Sequence, residues 1–344
     1  MSRFRAEVHE QPEAAERLLA QAPGALRAAA AALLGRRPAG LVIAARGSSD
    51  HAATYAKYLF EIRNGVPVAL AAPSAFTLYR RPPDLRRFGV LAISQSGSSE
   101  DVVEVVAEAR RQGAPTVVIT NDPDSRLAAE AEHVLDLAAG RERSVPASKT
   151  YTASLLMLAM LSQAMHPDPQ LAAALDEVPP AIERVLQVEP PLERAGRVLL
   201  GPRLAVLGRG FNLATAHEIA LKVMETCSVV AESRSVADFL HGPIAMVRPG
   251  FPALLIEAAG PTLGDMRALA GRLTALGARV VVLTDGDGRP GEAEEVVRLR
   301  TGLPEVLTPI PFAVAGQLLA LGMAVRLGVD PARPRGLRKV TVTR

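Results

Sequence analysis

The stretch AISQSGSSEDVVE, residues 92–104, places four serines and a glutamine between an apolar run and an amphipathic segment. The polar residues are Ser94, Gln95, Ser96, Ser98 and Ser99. One of them could cap the following helix, with Glu100 and Asp101 at its positive end, but a cap accounts for one serine only. Hydroxyl and amide donors at a helix N-terminus can surround a phosphate without a metal ion. The stretch therefore predicts a site for a small phosphorylated molecule.

Two more polar stretches come from the same half of the chain, ARGSSDHAA (45–53) and VPASKTYT (145–152). Together with the first stretch they could ring a polyhydroxyl substrate, although Ser48 and Ser49 could equally cap a helix. The phosphate-binding pattern GxxxxGK[ST] does not occur, so nucleoside triphosphate hydrolysis is not predicted. GRGFNLA (208–214) is not a GxGxxG pattern and is weak evidence for a dinucleotide.

These stretches follow or adjoin apolar runs that are typical of buried parallel strands. The runs are LVIAA (41–45), VLAIS (90–94), TVVIT (116–120), LAVLG (204–208), ALLIEA (253–258) and VVVLTD (280–285). Segments with helical spacing lie between them, such as residues 98–113. Uninterrupted Val/Ile/Leu runs that alternate with helices predict an α/β fold, with parallel sheets covered by helices on both faces.

The chain repeats itself. LVIAARGSSDHAA (41–53) matches LAVLGRGFNLATA (204–216), and LAISQSGSSED (91–101) matches LLIEAAGPTLGD (254–265), both offset by 163 positions. QGAPTVVITND (112–122) matches LGARVVVLTDG (276–286) at an offset of 164. The chain is therefore predicted to be a duplicated, doubly wound nucleotide-binding-like fold. Where the first copy has SQSGSS the second has EAAGPT, which favours ligand binding by the first copy alone.

A length of 344 residues with 49% hydrophobic content suits two medium-sized domains. We expect a first domain at 1–170 with a leading helix at 8–36, a helical linker at 171–197, a second domain at 198–330 and a tail at 331–344. We expect no uncharged run of the roughly 18–20 residues needed to span a bilayer, because the apolar stretch at 155–165 is too short and is interpreted as a core helix. No membrane span is predicted.

Several other classes of protein and site are disfavoured by composition. The first twenty residues are charged throughout and lack a secretory signal, and the single cysteine, Cys227, excludes an internal disulfide and a Cys-rich zinc site. A cytoplasmic location is expected. The net charge of +3 and the 3% aromatic content argue against a nucleic-acid surface. We expect no metal ion and no cofactor.

With these motifs in order, the chain resembles the SIS (sugar isomerase) domain family. It is most similar to the double-SIS isomerase half of glucosamine-6-phosphate synthase and to stand-alone glucosamine-6-phosphate deaminases. SQSGSS resembles the family's SQSGET loop, RGSS its GTS turn and ASKT its STK segment. HEIALKVMET (217–226) resembles EGALKLKEI, HGP (241–243) resembles KHGP, and RGLRKVTVT (335–343) resembles RNLAKSVTV. The match runs from residue 7 to the C-terminus.

The resemblance implies which residues bind and which react. It assigns proton transfer to Glu225 with Lys222 assisting, ring opening to His241, and an imine to Lys339. The implied substrate-binding residues are Gly47, Ser48, Ser49, Ser94, Gln95, Ser96, Ser99, Ala147 and Ser148. Outside the family, Lys222 and Glu225 could form only a surface ion pair of about 0.2–0.5 kcal/mol, and His241 could only cap a turn.

The implied reaction converts glucosamine 6-phosphate to fructose 6-phosphate and ammonia, or runs backwards with free ammonia. The printed sequence shows no glutaminase segment, so we expect no use of glutamine. Ala147 and Met224 replace a serine and a lysine of the family pattern and could retune the sugar pocket. A deglycase or isomerase for another phosphorylated amino sugar, or a non-catalytic sugar-phosphate regulator, stays open. The resemblance also implies a homodimer with the active site at the subunit interface, no nucleic acid and no membrane partner.

Overall fold

The computed structural model describes residues 2–21, 23–35, 38–287 and 293–339. Two compact units are present. The first unit consists of Glu13–Glu142, Lys149–Asp176 and Arg338–Arg344. The second unit consists of Met1–Pro12, Arg143–Ser148 and Glu177–Leu337. Each unit thus takes segments from distant parts of the chain, and the predicted domain boundaries stay a prediction.

The first unit is built on a five-stranded parallel sheet with the order β2-β1-β3-β4-β5. Its strands are β1 Gly40–Ala44, β2 Val68–Leu70, β3 Phe88–Ile93, β4 Thr116–Thr120 and β5 His133–Asp136. Two helices begin the chain, α1 Arg3–His9 and α2 Gln11–Leu19. The helices that follow are α3 Gly24–Leu34, α4 Ser48–Asn64, α5 Pro73–Thr77, α6 Glu100–Arg111, α7 Arg126–Glu130, α8 Lys149–Met165 and α9 Pro169–Asp176.

The second unit repeats this topology in a five-stranded parallel sheet of order β10-β9-β8-β6-β7. Its strands are β6 Arg203–Gly208, β7 Val230–Ser235, β8 Pro252–Glu257, β9 Arg279–Thr284 and β10 Glu295–Arg298. Its later helices are α10 Val178–Gln187, α11 Glu189–Val198, α12 Asn212–Cys227, α13 Val236–Leu240, α14 Leu263–Ala275 and α15 Pro309–Leu327, with short 3-10 helices at Pro243–Met246 and Glu305–Leu307.

The central strands form where uninterrupted apolar runs can be buried on both faces of a sheet. Every residue of β1, β4 and β8 is buried. The helix α6 packs its apolar stripe on the first sheet, with Val102, Val106 and Ala109 buried. All six apolar runs form strands, and the predicted α/β fold with two duplicated sheets is confirmed.

One feature of the second unit corrects the sequence analysis. Residues 306–325 carry no charged side chain, and this run was overlooked when a membrane span was not predicted. Within the described ranges, α15 (Pro309–Leu327) is the one helix long and apolar enough to cross a bilayer, and 78% of its most apolar window is buried inside the protein. Burial of this kind is found in the core helices of globular domains.

Candidate functional site

The serine-rich stretch forms the loop between β3 and α6, which we call the hydroxyl loop (residues 94–99). β3 ends at Ile93 and α6 begins at Glu100, so the loop lies at the carboxyl end of a central strand and at the N-terminus of a helix. The first-turn N–H groups of a helix lack intrahelical partners, and the helix dipole is positive there. In a parallel sheet, ligands bind at this edge. The loop therefore has the position and the polarity of an anion site.

The hydroxyls of this loop do not form a capping hydrogen bond with α6. Ser99 occupies the N-cap position of α6, yet its side chain makes no capping hydrogen bond. Ser96 and Ser98 bond to each other: the Ser98 N–H donates to Ser96 Oγ at 3.3 Å, and Ser98 Oγ donates to the Ser96 carbonyl at 3.0 Å. Ser94 is buried at the strand end, whereas Gln95 and Ser96 are half-buried. Several donors of the loop thus remain for a ligand.

Gly97 sets the sharp turn of the hydroxyl loop. Its φ of 58° lies in the left-handed region, and a Cβ there would lie 2.0 Å from the Ser125 Oγ. No other residue fits this position without displacing Ser125. The turn and its close approach to the neighbouring loop account for the glycine.

The second polar stretch joins β1 to α4. Gly47, with a φ of 55°, is the N-cap of α4, and helix α4 begins at Ser48. Neither Ser48 nor Ser49 is therefore the cap, which removes the alternative left open by the sequence. In the same loop, the Arg46 Nε donates to Asp101 Oδ2 at 2.6 Å. Arg46 thus joins the loop after β1 to the first turn of α6.

The third polar stretch is mostly buried. Ala147 is half-buried and offers no side-chain polar atom, so any contact it makes with a ligand is through its backbone. Ser148 is fully buried, and its carbonyl accepts a hydrogen bond from Gln317 Nε2 at 3.4 Å. Both residues belong to the second unit.

Helix α12 carries a buried charged cluster. Lys222 Nζ lies 2.6 Å from Glu225 Oε2 and 3.3 Å from Glu218 Oε1. The lysine side chain is 1% exposed, whereas that of Glu225 is 18% exposed. Burial alone would lower the pKa of Lys222, but the carboxylates of Glu218 and Glu225 outweigh it and raise that pKa above its ordinary value. The two carboxylates therefore favour the charged form of Lys222, whose ammonium lies within hydrogen-bonding distance of the Glu225 carboxylate.

This arrangement argues against the alternative of a surface ion pair. Surface pairs are exposed and contribute little, whereas the Lys222 side chain is buried and is compensated by two carboxylates. Glu225 is the member of the cluster that still reaches the surface. A carboxylate in that position can exchange protons with a bound molecule.

His241 follows α13 and is exposed. Its backbone N–H donates to the Asp238 carbonyl at 3.2 Å, which ends the helix. Throughout the described ranges its imidazole has no hydrogen-bond partner.

Lys339 is held by a carboxylate of its own unit. Its Nζ donates to Glu142 Oε2 at 2.6 Å. The side chain of Glu142 is fully buried, and that of Lys339 is 24% exposed. The Thr150 N–H donates to Glu142 Oε1 at 3.1 Å, and the Thr150 hydroxyl donates to Oε2 at 2.8 Å. Residues 340–343 of the tail motif lie outside the described residues.

A cavity of about 500 Å³ opens at the carboxyl ends of β4 and β5 in the first unit. Its lining includes Gln95 of the hydroxyl loop and Glu142, the partner of Lys339. The remaining lining residues are Asn121, Asp122, Asp136, Ala138, Gly140 and Arg141. The cavity connects the neighbourhood of the hydroxyl loop with that of the tail lysine.

Two residues of these clusters were missed by the sequence analysis. Glu218 could have been found, because it lies four residues before Lys222 and therefore on the same face of the helix. Glu142 could not, since its partner Lys339 is 197 residues away in sequence and no spacing rule connects them.

Comparison with known proteins agrees with this architecture. The family model described as "SIS domain" matches residues 37–164 and 201–326. A glutamine–fructose-6-phosphate aminotransferase (isomerizing) of Bradyrhizobium diazoefficiens is 33% identical over 318 residues, which cover 87% of this chain and 51% of the relative. The enzyme of the same name from Methanothermobacter thermautotrophicus is 34% identical over 301 residues, with 86% and 50% covered. The chain thus spans about half the length of these curated relatives.

A solved structure covers the chain more completely. The crystal structure of a "putative phosphosugar isomerase" from Silicibacter pomeroyi DSS-3 is similar with a TM-score of 0.87 and 36% sequence identity. The similarity covers 96% of this chain and 100% of that one. Two family matches, one on each sheet, account for most of the sequence. This chain is a member of the SIS domain family.

Proposed function

We propose that this protein is a sugar-phosphate isomerase, and that it converts glucosamine 6-phosphate to fructose 6-phosphate and ammonia. The observation that carries the proposal is Glu225, a partly exposed carboxylate held at 2.6 Å by a fully buried lysine. Isomerisation needs one group that removes a proton from a carbon and returns it to the next carbon. The 36% identity with a structure described as a phosphosugar isomerase supports this reaction class.

The phosphate would bind at the hydroxyl loop. Ser99 at the N-cap of α6 has a hydroxyl without a capping bond, and the helix N-terminus adds backbone donors. Neutral donors of this kind can hold a phosphate dianion without a metal ion. Gly47, Ser48 and Ser49 would contact the sugar phosphate from the start of α4, and Ala147 and Ser148 from the third stretch.

The reaction needs a proton balance at two carbons. In the open-chain aldehyde form, Glu225 takes the proton from C2 to give an enolamine and then delivers it to C1. The product is the C2 imine of fructose 6-phosphate, which must lose ammonia and take up water at C2 to give the ketone. His241 would open the ring by moving a proton between O1 and O5, because an imidazole has one nitrogen that can accept a proton and one that can donate it. Lys339 would form an imine at C2 and so displace ammonia before water enters.

We further propose a homodimer in which His241 serves the sugar bound to the other subunit. The exposed imidazole supports this, because a reactive histidine is expected to be covered once its site is complete. Mixing the inactive variants His241→Ala and Glu225→Gln should then restore part of the activity, since the heterodimer contains one intact set of groups. Full subunit exchange without recovery would place His241 in its own subunit's site or outside the chemistry.

The reaction itself is tested by measuring ammonia release from a panel of purified sugars. The panel contains glucosamine 6-phosphate, N-acetylglucosamine 6-phosphate, galactosamine 6-phosphate and a fructosamine 6-phosphate. We expect ammonia and fructose 6-phosphate from the first compound. Preference for the fructosamine adduct would replace the deaminase proposal with a deglycase. Tight binding of one compound without turnover of any would indicate a sensor.

A further inference from the structure

The side chain of Lys339 is held by a fully buried carboxylate. The lysine belongs to the last described residues of the chain, and its ammonium lies 2.6 Å from Glu142 Oε2. Thr150, at the start of α8, also donates to that carboxylate through its N–H and its hydroxyl. Glu142 is therefore fixed to the helix, and the tail lysine is fixed to Glu142.

The contact between Lys339 and Glu142 bears on how an imine could form. An ammonium has no lone pair, so Lys339 must lose a proton before its nitrogen can attack a carbon. Among the described residues, Glu142 is the carboxylate within hydrogen-bonding distance of that nitrogen. Its side chain has no exposure to water, so it keeps one orientation while its Oε2 faces the lysine. The residue also lines the cavity of about 500 Å³ that reaches Gln95.

We infer that Glu142 is a positioning residue that fixes the Lys339 nitrogen beside the bound sugar and accepts its proton when the imine forms. The inference rests on the proposed function and deepens it. The proton passes from Nζ to Oε2, and the neutral amine bonds to C2 of the protonated substrate imine. A proton moves from the attacking nitrogen to the departing one, ammonia leaves, and a protonated lysine imine remains. Water then releases the ketone, and the two protons of that water restore the Lys339 ammonium. Glu142 gives its proton to the released ammonia, which departs as ammonium, and becomes a carboxylate again.

A simple counter-ion would behave differently from a proton acceptor. Loss of a counter-ion's negative charge favours the neutral amine, so imine formation near pH 7 would become faster. Loss of a proton acceptor makes the same step slower, because no group takes the proton. The two roles therefore predict rate changes of opposite sign in a Glu142→Gln variant, whose side chain can still accept hydrogen bonds.

The test traps the lysine imine with sodium borohydride in the presence of fructose 6-phosphate. Reduction links the sugar to Lys339, and mass spectrometry of the full-length protein and of its peptides measures the rate between pH 6 and pH 10. In Glu142→Gln we expect trapping at pH 7 to be at least about tenfold slower, and to rise with pH because hydroxide can then take the proton that the variant no longer accepts. Affinity for fructose 6-phosphate, measured by calorimetry, should change less than about threefold. Glu142→Asp retains a carboxylate and should recover part of the rate.

A matched control is available in Glu7. It is also buried and accepts hydrogen bonds from the N–H groups of Arg143 and Ser144, with no lysine contact among the described residues. Glu7→Gln should leave the pH profile of trapping unchanged, and thermal melting of each variant checks that it is folded. Equal or faster trapping in Glu142→Gln, or an aspartate variant slower than the glutamine variant, would overturn this inference alone. Absence of any adduct in the wild-type protein would overturn the proposed imine and this inference with it.

Discussion

The two copies of the fold place different side chains at the same point, where the third strand of each sheet passes into a helix. In the first copy the loop after β3 is SQSGSS, and Ser99 has a hydroxyl without a capping bond. In the second copy the loop after β8 is EAAGPT, and Thr262 takes the place of Ser99. The Thr262 hydroxyl donates to Glu305 Oε1 at 2.6 Å. The second loop thus already holds an anion that belongs to the protein.

The glycines of the two loops point to the same difference. At Gly97 a Cβ would meet the hydroxyl of Ser125, a neutral side chain. At Gly260 it would meet the carboxylate of Glu305, with Oε2 at 2.2 Å. A phosphate dianion that approached the second loop would be repelled by Glu305. If the hydroxyl loop binds a phosphate as proposed, the second copy differs because an internal carboxylate, Glu305, lies at the equivalent loop.

The second copy differs from the first in another feature, the buried charged cluster on α12. At the offset of 163 residues, α4 carries Leu59 and Ile62 at the positions of Lys222 and Glu225. The copies would then divide the work: the first would bind the phosphate, and the second would supply the proton-transfer carboxylate. This division can be broken by variants that affect only one of the two tasks.

The largest effect is expected from Glu225→Gln. The variant loses the proton-transfer group, so kcat should fall by at least about 100-fold, which is the usual minimum for loss of a general base. The dissociation constant for glucosamine 6-phosphate should change less than about threefold, because the hydroxyl loop is intact. Steady-state kinetics and calorimetry on the same preparation measure the two quantities. Parallel loss of binding and rate would contradict the division of work.

The converse variant removes Ser94, Ser96 and Ser99 together by alanine substitution. Hydrogen bonds to a charged group contribute about 1.5–3 kcal/mol each, so affinity for glucosamine 6-phosphate should fall by at least about 100-fold. Free glucosamine should bind the wild type weakly and be unaffected by the change. The control is Thr262→Val in the second copy, for which we expect a loss of stability and an unchanged affinity. If phosphorylated and free sugar bind the wild type alike, the hydroxyl loop is not a phosphate site.

Local patterns in the sequence could be predicted, whereas contacts between distant parts of the chain could not. The six central strands and the repeat were predicted because buried parallel strands are continuous apolar runs. The edge strands β2, β5, β7 and β10 were not, since they are short or carry polar residues, as in VAESRS (230–235). An edge strand is paired on one side only and needs no apolar signature.

The candidate site divides in the same way. The hydroxyl loop and the Lys222–Glu225 pair are local patterns, and the sequence displays them directly. The pairing of Thr262 with Glu305 and of Lys339 with Glu142 joins residues 43 and 197 positions apart. Only the fold brings such residues together. The uncharged run at 306–325 shows that a local pattern can also be ambiguous, because a buried core helix and a membrane-spanning helix can have the same composition.

A third prediction concerns Glu257, which occupies in the second copy the position of Ser94 in the first. Its side chain is fully buried, both carboxylate oxygens lack a hydrogen bond among the described residues, and the Arg267 Nε lies 3.8 Å away. Burial raises the pKa of Glu257 to about 7, and the Arg267 charge offsets this only in part. A raised folded pKa means that its contribution to stability is complete below about pH 4.5 and is lost as the pH rises through 7.

We therefore compare the free energy of unfolding of Glu257→Gln with that of the wild type at each pH. This difference should favour the variant by about 2–3 kcal/mol more at pH 8 than at pH 5. Urea unfolding at the two pH values measures this free energy, and sugar-phosphate affinity should not change. The same difference at both pH values would mean that the carboxyl titrates as an ordinary exposed one.

The smallest effect is expected from an ion pair that both copies share. Arg46 Nε pairs with Asp101 Oδ2 at 2.6 Å in the first copy, and Arg209 Nε pairs with Asp265 Oδ2 at 3.1 Å in the second. In each copy the pair joins the loop after the first strand to the first turn of the helix after the third. Because both copies have this ion pair, we expect it to stabilise the fold in both. A difference between the two arginine variants in sugar-phosphate affinity would therefore reflect a contact with the ligand.

Arg46 uses only its Nε in this pair, and its side chain is 47% exposed beside the hydroxyl loop. Among the described residues its terminal nitrogens make no hydrogen bond, and they could attract a phosphate dianion in a screened interaction of about 1 kcal/mol. Arg46→Gln should weaken glucosamine 6-phosphate by about fivefold at low salt and less at 0.5 M salt. Arg209→Gln breaks the matching pair and should leave affinity unchanged, because the loop beside it holds Glu305. Equal losses in the two variants would mean that the pair acts through the fold, and the contrast between the copies would then rest on the hydroxyls alone.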